Sequence, residues 1–318
     1  MVIVSAVIPT RGRPELLERA VRSALAQTLR EIEVVVVIDG RDSATRDTLD
    51  KITFEDDRVR VLALPFSVGG SDARNRGVDA ARGEWIAFLD DDDEWLPGKL
   101  KAQLDAVKTS TAAALIGSCK MIARTPGRDY VWPRRTPGKD EQLGEYVLAR
   151  RSLTRGEGYL QTSTFFVSRA LMQAQPFKSS QKKHQDTEWV LRLGRLPGVQ
   201  VIIVDQLLAI HNIEEDRATV SSKSNWRYSL DWVRRDRHLF TPRALAGFVL
   251  HQIASEASDQ GEWRAFPLLL LECLRYGKSS PLDYAIFFAM WLLPRRRRRR
   301  LRDWMAQRPR LRGLVQPV

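Results

Sequence analysis

The chain has 318 residues, 43% hydrophobic and 28% charged, an ordinary balance for a folded protein that excludes a disordered or fibrous chain. Its two cysteines, Cys119 and Cys273, lie far apart and in no CxxC spacing, which excludes a disulfide framework or structural zinc site and fits a reducing cytoplasm. The net charge of +12 suggests nucleic acid until it is located: residues 278–318 hold eleven Lys/Arg against Asp283 and Asp303, leaving only +3 elsewhere.

Residues 1–9 have neither a basic leader nor a cleavage site and read as a first strand rather than a signal peptide. A helix over 14–27 follows, with Leu17, Val21 and Ala24 at helical spacing and Pro14 in its first turn. Residues 32–38 are almost all Val and Ile, the pattern of a strand covered on both faces. A helix (43–52), a strand (59–64), a helix (71–81) and a strand (84–89) come next. This alternation predicts an α/β fold: a mostly parallel central sheet flanked by helices and joined by right-handed crossovers. In such a sheet ligands bind beyond the carboxyl ends of the strands. Three of the four ends carry suitable chemistry, namely Pro9-Thr10-Arg11, Asp39-Gly40 and the run Asp90-Asp91-Asp92-Asp93.

From 97 to 211 the reading is mixed, with helices at 97–107, 140–149 and 186–193 and strands at 113–117, 161–167 and 199–209. Beyond Glu214 helical patterns dominate. The expected division is therefore an α/β domain over 1–213 and a helical C-terminal region over 214–318.

Four successive aspartates at a strand end repel one another, and a bound dication removes that cost. Mg²⁺ and Mn²⁺ take oxygen ligands and sit between carboxylates and substrate phosphates. On the cluster alone, a metal site and an acidic turn capping a helix at Pro97 are equal readings. The surroundings break the tie. Phe88-Leu89-Asp90-Asp91-Asp92-Asp93-Glu94-Trp95, preceded by Ala73-Arg74-Asn75-Arg76-Gly77 and Ala80-Ala81-Arg82-Gly83-Glu84, resembles the donor-site segment of family 2 glycosyltransferases with the GT-A fold. Val7-Ile8-Pro9-Thr10-Arg11-Gly12-Arg13 and Ser23-Ala24-Leu25-Ala26-Gln27-Thr28 match the same family, in the right order.

The resemblance implies that Pro9, Thr10 and Arg11 line a nucleotide pocket, that Asp39 accepts a hydrogen bond from the base, and that Arg74 lies near the donor. It also implies Asp90 at the ribose with Asp91 in support, and Asp92 on a Mn²⁺ or Mg²⁺ ion bridging the diphosphate. Where the family has Asp-Asp, this chain has Ile38-Asp39, so the first acid is missing. His184-Gln185-Asp186-Thr187-Glu188-Trp189 resembles the family's acidic motif at a helix start, normally Glu-Asp. Asp186 takes the place of the catalytic base, Glu188 is its rival, and Gln185 replaces the usual Glu. His211, after the last strand, is either a further metal ligand or a packing residue. Residues 158–164 resemble a loop that shapes the acceptor side.

The implied activity is inverting transfer of a sugar from a nucleotide-diphosphate donor to a hydroxyl of a saccharide or lipid-linked acceptor, as in polysaccharide biosynthesis. Two other classes stay open. A nucleotidyltransferase would need a Gly-rich, lysine-containing loop where Thr10-Arg11-Gly12-Arg13 stands. A non-catalytic nucleotide- or glycan-binding subunit would not need both Asp92 and Asp186.

The apolar stretch 282–293 is short of the roughly 20 residues a spanning helix requires. Beside the six-arginine run 295–300 and Trp304 it reads as an anchor on an anionic membrane surface, or as a core helix with a solvated charged end. The expected location is cytoplasmic, peripheral at the inner face of the plasma membrane, with no nucleic-acid partner.

Overall fold

β1 (Val4–Thr10) and β2 (Ile32–Ile38) are the covered heart of the sheet, and every residue of β2 is buried. The computed structural model describes residues 1–112, 114–213, 225–293 and 297–298, which divide into two compact units. The first takes in Met1–Pro126, Tyr130–Trp132 and Leu160–Ile213; the second takes in Gly127–Asp129, Pro133–Tyr159 and the C-terminal helices.

In the first unit, α1 (Pro14–Leu25) opens on Pro14 and buries Leu17, Ala20, Val21 and Ala24, the face predicted from its spacing. α2 (Ser43–Glu55) is capped by Asp42, whose side chain accepts from the Thr45 N–H, as N-cap chemistry requires. β3 (Val59–Ala63) pairs parallel with β2, and α3 (Gly70–Ala80) lies on the sheet through Ala73 against Val35 and Val37. Gly77 makes that approach possible, because a Cβ there would stand 2.4 Å from Val7 Cγ1. β4 (Trp85–Phe88) returns to pair parallel with the other side of β1.

The sheet order is β3-β2-β1-β4-β8-β6-β9-β5, with β7 on β6. The chain runs outward from β1 through β2 to β3 and then jumps back to β4. The strand order thus reverses between β1 and β4, where an open α/β sheet forms its ligand crevice.

The remaining strands are less regular than predicted. β5 (Glu94–Trp95) is a two-residue strand inside the acidic motif, antiparallel to β9 (Gln200–Asn212). α4 (Lys99–Val107) starts after a Gly98 cap that makes no side-chain hydrogen bond, so the aspartates do not cap it. β6 (Leu115–Arg124) and β9 pair parallel through a bulge and extend well past the predicted 113–117 and 199–209. β7 (Asp129–Trp132) was not predicted. The expected strand 161–167 is a 3₁₀ turn at Thr162–Thr164 followed by the short β8 (Phe166–Ser168), antiparallel to both β4 and β6. α6 (Arg169–Ala174) and α7 (Gln185–Leu193) complete the unit.

In the second unit α5 (Leu143–Leu148) lies against α9 (Pro242–Gly247), where a Cβ on Gly247 would meet the Leu148 carbonyl oxygen at 2.2 Å. α8 (Trp226–Arg235) contributes Trp232 to a cluster with Phe240 and Phe248. A π-helical stretch, Phe248–Ile253, joins α9 to α10 (Ala254–Asp259), and α11 (Ala265–Tyr276) and α12 (Pro281–Leu292) follow. Among the described residues no helix is long and apolar enough to cross a membrane. Residues 295–296, 299–300 and Trp304, central to the predicted anchor, lie outside the described residues.

Candidate active site

All of the sequence-predicted site residues fall in the first unit, at the carboxyl ends of β1, β2 and β4, in α3, at the start of α7 and near the end of β9. At the β1–β4 reversal Thr10 Oγ1 donates to Asp91 Oδ2 at 2.9 Å. Arg13 Nη1 donates to Asp91 Oδ1 at 3.0 Å and Asp92 Oδ2 at 3.3 Å, so one guanidinium partly neutralises two adjacent acids. The Asp92 backbone is fixed as well: its carbonyl accepts from Arg19 Nη2 and Asn212 Nδ2, both at 2.8 Å. The loop is held before any ligand arrives, the condition for electrostatic stabilisation without reorganisation.

Asp93 is fully buried and its oxygens are spoken for. They accept from Gln161 Nε2 (2.8 Å), Ser163 Oγ (2.6 Å) and the Asn212 N–H (3.1 Å), and Oδ1 lies 3.0 Å from His211 Nδ1. Ligand oxygens of Asp90, Asp92 and Asp93 lie within 4.8 Å of one another. These donors suit a hard dication. Asp92 is partly exposed, whereas Asp93 is fully buried and saturated by hydrogen bonds. His211 Nδ1 faces Asp93, the kind of contact by which a carboxylate can orient an imidazole. Burial lowers the His211 pKa, but the charge and hydrogen bond of Asp93 outweigh it and hold the imidazole above its ordinary value. His211 sits inside β9 rather than after it, which is what brings it onto Asp93.

Arg74 joins the two halves of the motif set. Nη2 donates to Asp90 Oδ1 at 2.5 Å, and Nη1 donates to Gln185 Oε1 at 2.9 Å. Gly70 leaves the room, since a Cβ there would stand 3.1 Å from both Arg74 Nη1 and Gln185 Oε1. The residue that departs from the family's Glu-Asp pattern therefore keeps a structural bond, through a neutral amide. His184, in the left-handed conformation (φ 61°), turns the chain into α7; it is the one non-glycine residue with positive φ among the described residues. Asp186 follows, half-buried, its Oδ1 accepting from the Thr187 N–H at 2.7 Å. Loss of hydration raises its pKa above the usual carboxylate value; the Thr187 N–H and Arg74 oppose the rise, and the charge of Asp90 adds to it. Its rival Glu188 is buried against Arg192, with Nε at 3.1 Å.

Pro9 is half-buried in β1, and Arg11 is exposed, with Nη1 3.0 Å from Ser67 Oγ. Asp39 is buried, and its carboxylate accepts from the N–H groups of Val68 (2.6 Å) and Gly69 (3.1 Å) and from Ser67 Oγ (2.8 Å). It thereby fixes the loop ahead of α3. Beside it, Ile38, Gly40, Arg41, Leu64 and Pro65 line an open hollow at the ends of β2 and β3.

Sequence reasoning missed Arg13, Gln161, Ser163 and Asn212. Arg13 stands in one of the family-like motifs, and Gln161 and Ser163 in the 158–164 loop, but their contacts with the acidic cluster span about seventy to eighty positions and leave no local pattern; Asn212, further off still, leaves none either.

The family model for Glycosyl transferase family 2 matches residues 5–174, more than half of the chain. The chain belongs to this family. It is 25% identical over 235 residues, 72% of this chain and 76% of the relative, to the amylovoran biosynthesis glycosyltransferase AmsB of Erwinia amylovora. It is 32% identical over 117 residues to a GalNAc(5)-diNAcBac-PP-undecaprenol beta-1,3-glucosyltransferase of Campylobacter jejuni, a match spanning 36% of this chain and 38% of that protein. In fold it resembles residues 1–349 of S. aureus TarS in complex with UDP (TM-score 0.55, 15% identity, 91% of this chain and 90% of that one). It likewise resembles the mannosyltransferase PcManGT of Pyrobaculum calidifontis in complex with GDP-Man and Mn²⁺ (TM-score 0.53, 16% identity, 95% and 84% covered). The expected α/β architecture of GT-A type holds, and glycosyl transfer is the activity these relatives support.

Proposed function

We propose that the chain is an inverting, metal-assisted glycosyltransferase that moves a sugar from a nucleotide-diphosphate donor to a hydroxyl of a saccharide or lipid-linked acceptor in polysaccharide or glycoconjugate biosynthesis. The observation that carries this is the bonded path from the strand-end acids to the start of α7: Asp90 to Arg74 to Gln185, with Asp186 next in the chain. Family membership sets aside the nucleotidyltransferase reading, and the presence of both Asp92 and Asp186 speaks against a merely binding subunit.

In this reading residues 1–213 carry the chemistry and 214–318 a supporting helical region. Pro9, Thr10, Arg11 and Asp39 border the nucleotide, the base entering the hollow beside Asp39, with Asp90 at the ribose and Asp91 beneath it. Asp92, with His211 Nε2 as second ligand, would hold Mn²⁺ or Mg²⁺, which supplies Lewis-acid stabilisation of the departing diphosphate. Arg74 adds a fixed positive charge on the same side. Asp186 takes the proton of the acceptor hydroxyl as oxygen attacks the anomeric carbon and the bond to the diphosphate breaks; its raised pKa makes it the stronger base. One base and no placed nucleophile favour a single displacement, hence inversion. A lipid-linked acceptor, as named for the Campylobacter relative, would bring the protein to an anionic membrane surface.

The test is a thermal-shift series of UDP-, GDP- and dTDP-sugars with and without Mn²⁺. At least one donor should raise Tm only when the metal is present, and Asp92→Asn should remove that increment. No stabilisation by any donor in either condition rejects the reading. NMR of the product anomer then checks inversion.

A further inference from the structure

α11 and α12 bury their carboxylates and each turn a row of apolar side chains outward. Glu272 of α11 is buried and accepts from Arg234 Nε (2.8 Å) and Arg237 Nη2 (2.7 Å). Asp283 of α12 is buried on Arg243 and Ser280. What faces solvent on α11 is Leu268, Leu271 and Leu274, the latter two more than 60% exposed and all in one row at a spacing of three. On α12 it is Ala285, Phe288 and Leu292, again one row. The rows border each other through Phe266, whose ring lies 5.8 Å from that of Phe288. The predicted anchor segment thus divides: Ile286, Phe287, Met290 and Trp291 are core, and only the opposite side is free.

This uncharged face has a cationic rim. Arg264 precedes α11, Arg275 and Lys278 stand at its far end, and all three are exposed. Trp263, 57% exposed, packs at a tilt against Trp291 at the margin, the position favoured by aromatics at a water–lipid boundary. The adjacent acids Asp259 and Glu262 are bonded to Arg298 and Arg227. A second copy of the chain would cover the apolar rows, but a two-fold interface would bring the two cationic rims together. Anionic headgroups complement them.

We propose that the α11–α12 face docks on an anionic bilayer, with the leucine row and Phe288 entering the acyl boundary and the arginines meeting the headgroups. The inference deepens the membrane-surface reading above and rests on it, but its test uses no sugar transfer. Full-length protein is floated with phosphatidylcholine vesicles containing about one-third phosphatidylglycerol, and with phosphatidylcholine alone. Binding is expected with the anionic vesicles. The Leu268→Glu/Leu271→Glu/Leu274→Glu variant should lose at least about tenfold in partitioning while keeping its far-UV spectrum and donor-induced Tm shift. The single variant Leu271→Trp covers the case in which the triple variant does not fold, and its fluorescence should shift blue on adding anionic vesicles. Unchanged flotation of the triple variant, or no blue shift, overturns the proposal. So does a wild-type dimer by light scattering that the leucine variant converts to monomer without any vesicle binding. Failure of donor binding with flotation intact would count against the proposed activity alone.

Discussion

Two acids, one from each unit, are balanced against burial in opposite ways. In the helical unit Asp283 is enclosed by Arg243, His251 and Ser280; burial alone would raise its pKa, and these partners hold it well below the usual carboxylate range. In the sheet unit Asp186 is left short of partners, and its pKa rises. A satisfied acid is a brace, whereas an under-satisfied acid stores basicity. The first stabilises a packing of helices, and the second is useful only at a reaction centre.

The largest effect expected is that of Asp186→Asn, a loss of transfer of about 10³-fold or more, since the base is removed while its shape is kept. Tm should equal or exceed that of wild type at neutral pH. The folded-state pKa lies above the unfolded one, so this carboxyl contributes stability at low pH and that contribution is lost as pH rises through the folded value. Unimpaired transfer in the folded variant removes Asp186 from its role. Asp92→Asn should match the loss and also abolish the Mn²⁺-dependent part of donor stabilisation.

Asp283→Ala tests the other side of the contrast. It leaves Arg243 without its buried counter-charge and His251 without its carboxylate partner, at a cost of roughly 3 kcal/mol in denaturant unfolding, while transfer per folded molecule stays at the wild-type rate. Here the sign is reversed. The depressed folded-state pKa gives stability that is present above the unfolded value, near 4, and is lost as pH falls through the folded one. The variant should therefore show a flatter acid limb in stability against pH. A variant as stable as wild type but catalytically dead would break the comparison.

Gln185→Glu sharpens it within the site. The new carboxylate would face Arg74, dividing the charge that now serves Asp90 and lowers the Asp186 pKa. The acid limb of the pH–rate profile should move to higher pH, with a several-fold loss in kcat and little change in KM. An unmoved limb would mean that Arg74 and Asp186 are not coupled.

Much of this was legible in the sequence because it is local. Buried parallel strands announce themselves as Val/Ile runs, and the acidic cluster and the α7 start are contiguous motifs. What escaped was set by partners far along the chain. Arg13 reads as a turn residue until Asp91 and Asp92, nearly eighty positions on, are seen to hold it. Residues 161–167 have strand composition, yet the Gln161 side chain accepts from the Ser163 N–H and winds the segment into a 3₁₀ turn that delivers Ser163 to Asp93. β5 is too short to carry a period, and it exists because β9 runs beside it.

The smallest effect concerns Lys99, which lies against Trp95 behind the acidic loop. It is fully buried with no hydrogen-bond partner for Nζ among the described residues, and the ammonium sits 4.1 Å over the Trp95 ring, whose Nε1 donates to the Ser163 carbonyl. Burial pulls its pKa down to about 8, against a small opposing influence of Cys119. For a base lowered in this way, the stabilising contribution is present at high pH and is lost as pH falls through the folded value. At pH 7 the charged, buried ammonium is therefore a cost, offset in part by the cation–π contact. Lys99→Met, similar in shape and uncharged, should gain on the order of 1 kcal/mol at pH 7, and that gain should shrink steadily between pH 8 and 10. A loss of stability at pH 7 would show instead that the ammonium over Trp95 braces the acidic loop, making Lys99 a brace like Asp283 inside the unit built for chemistry.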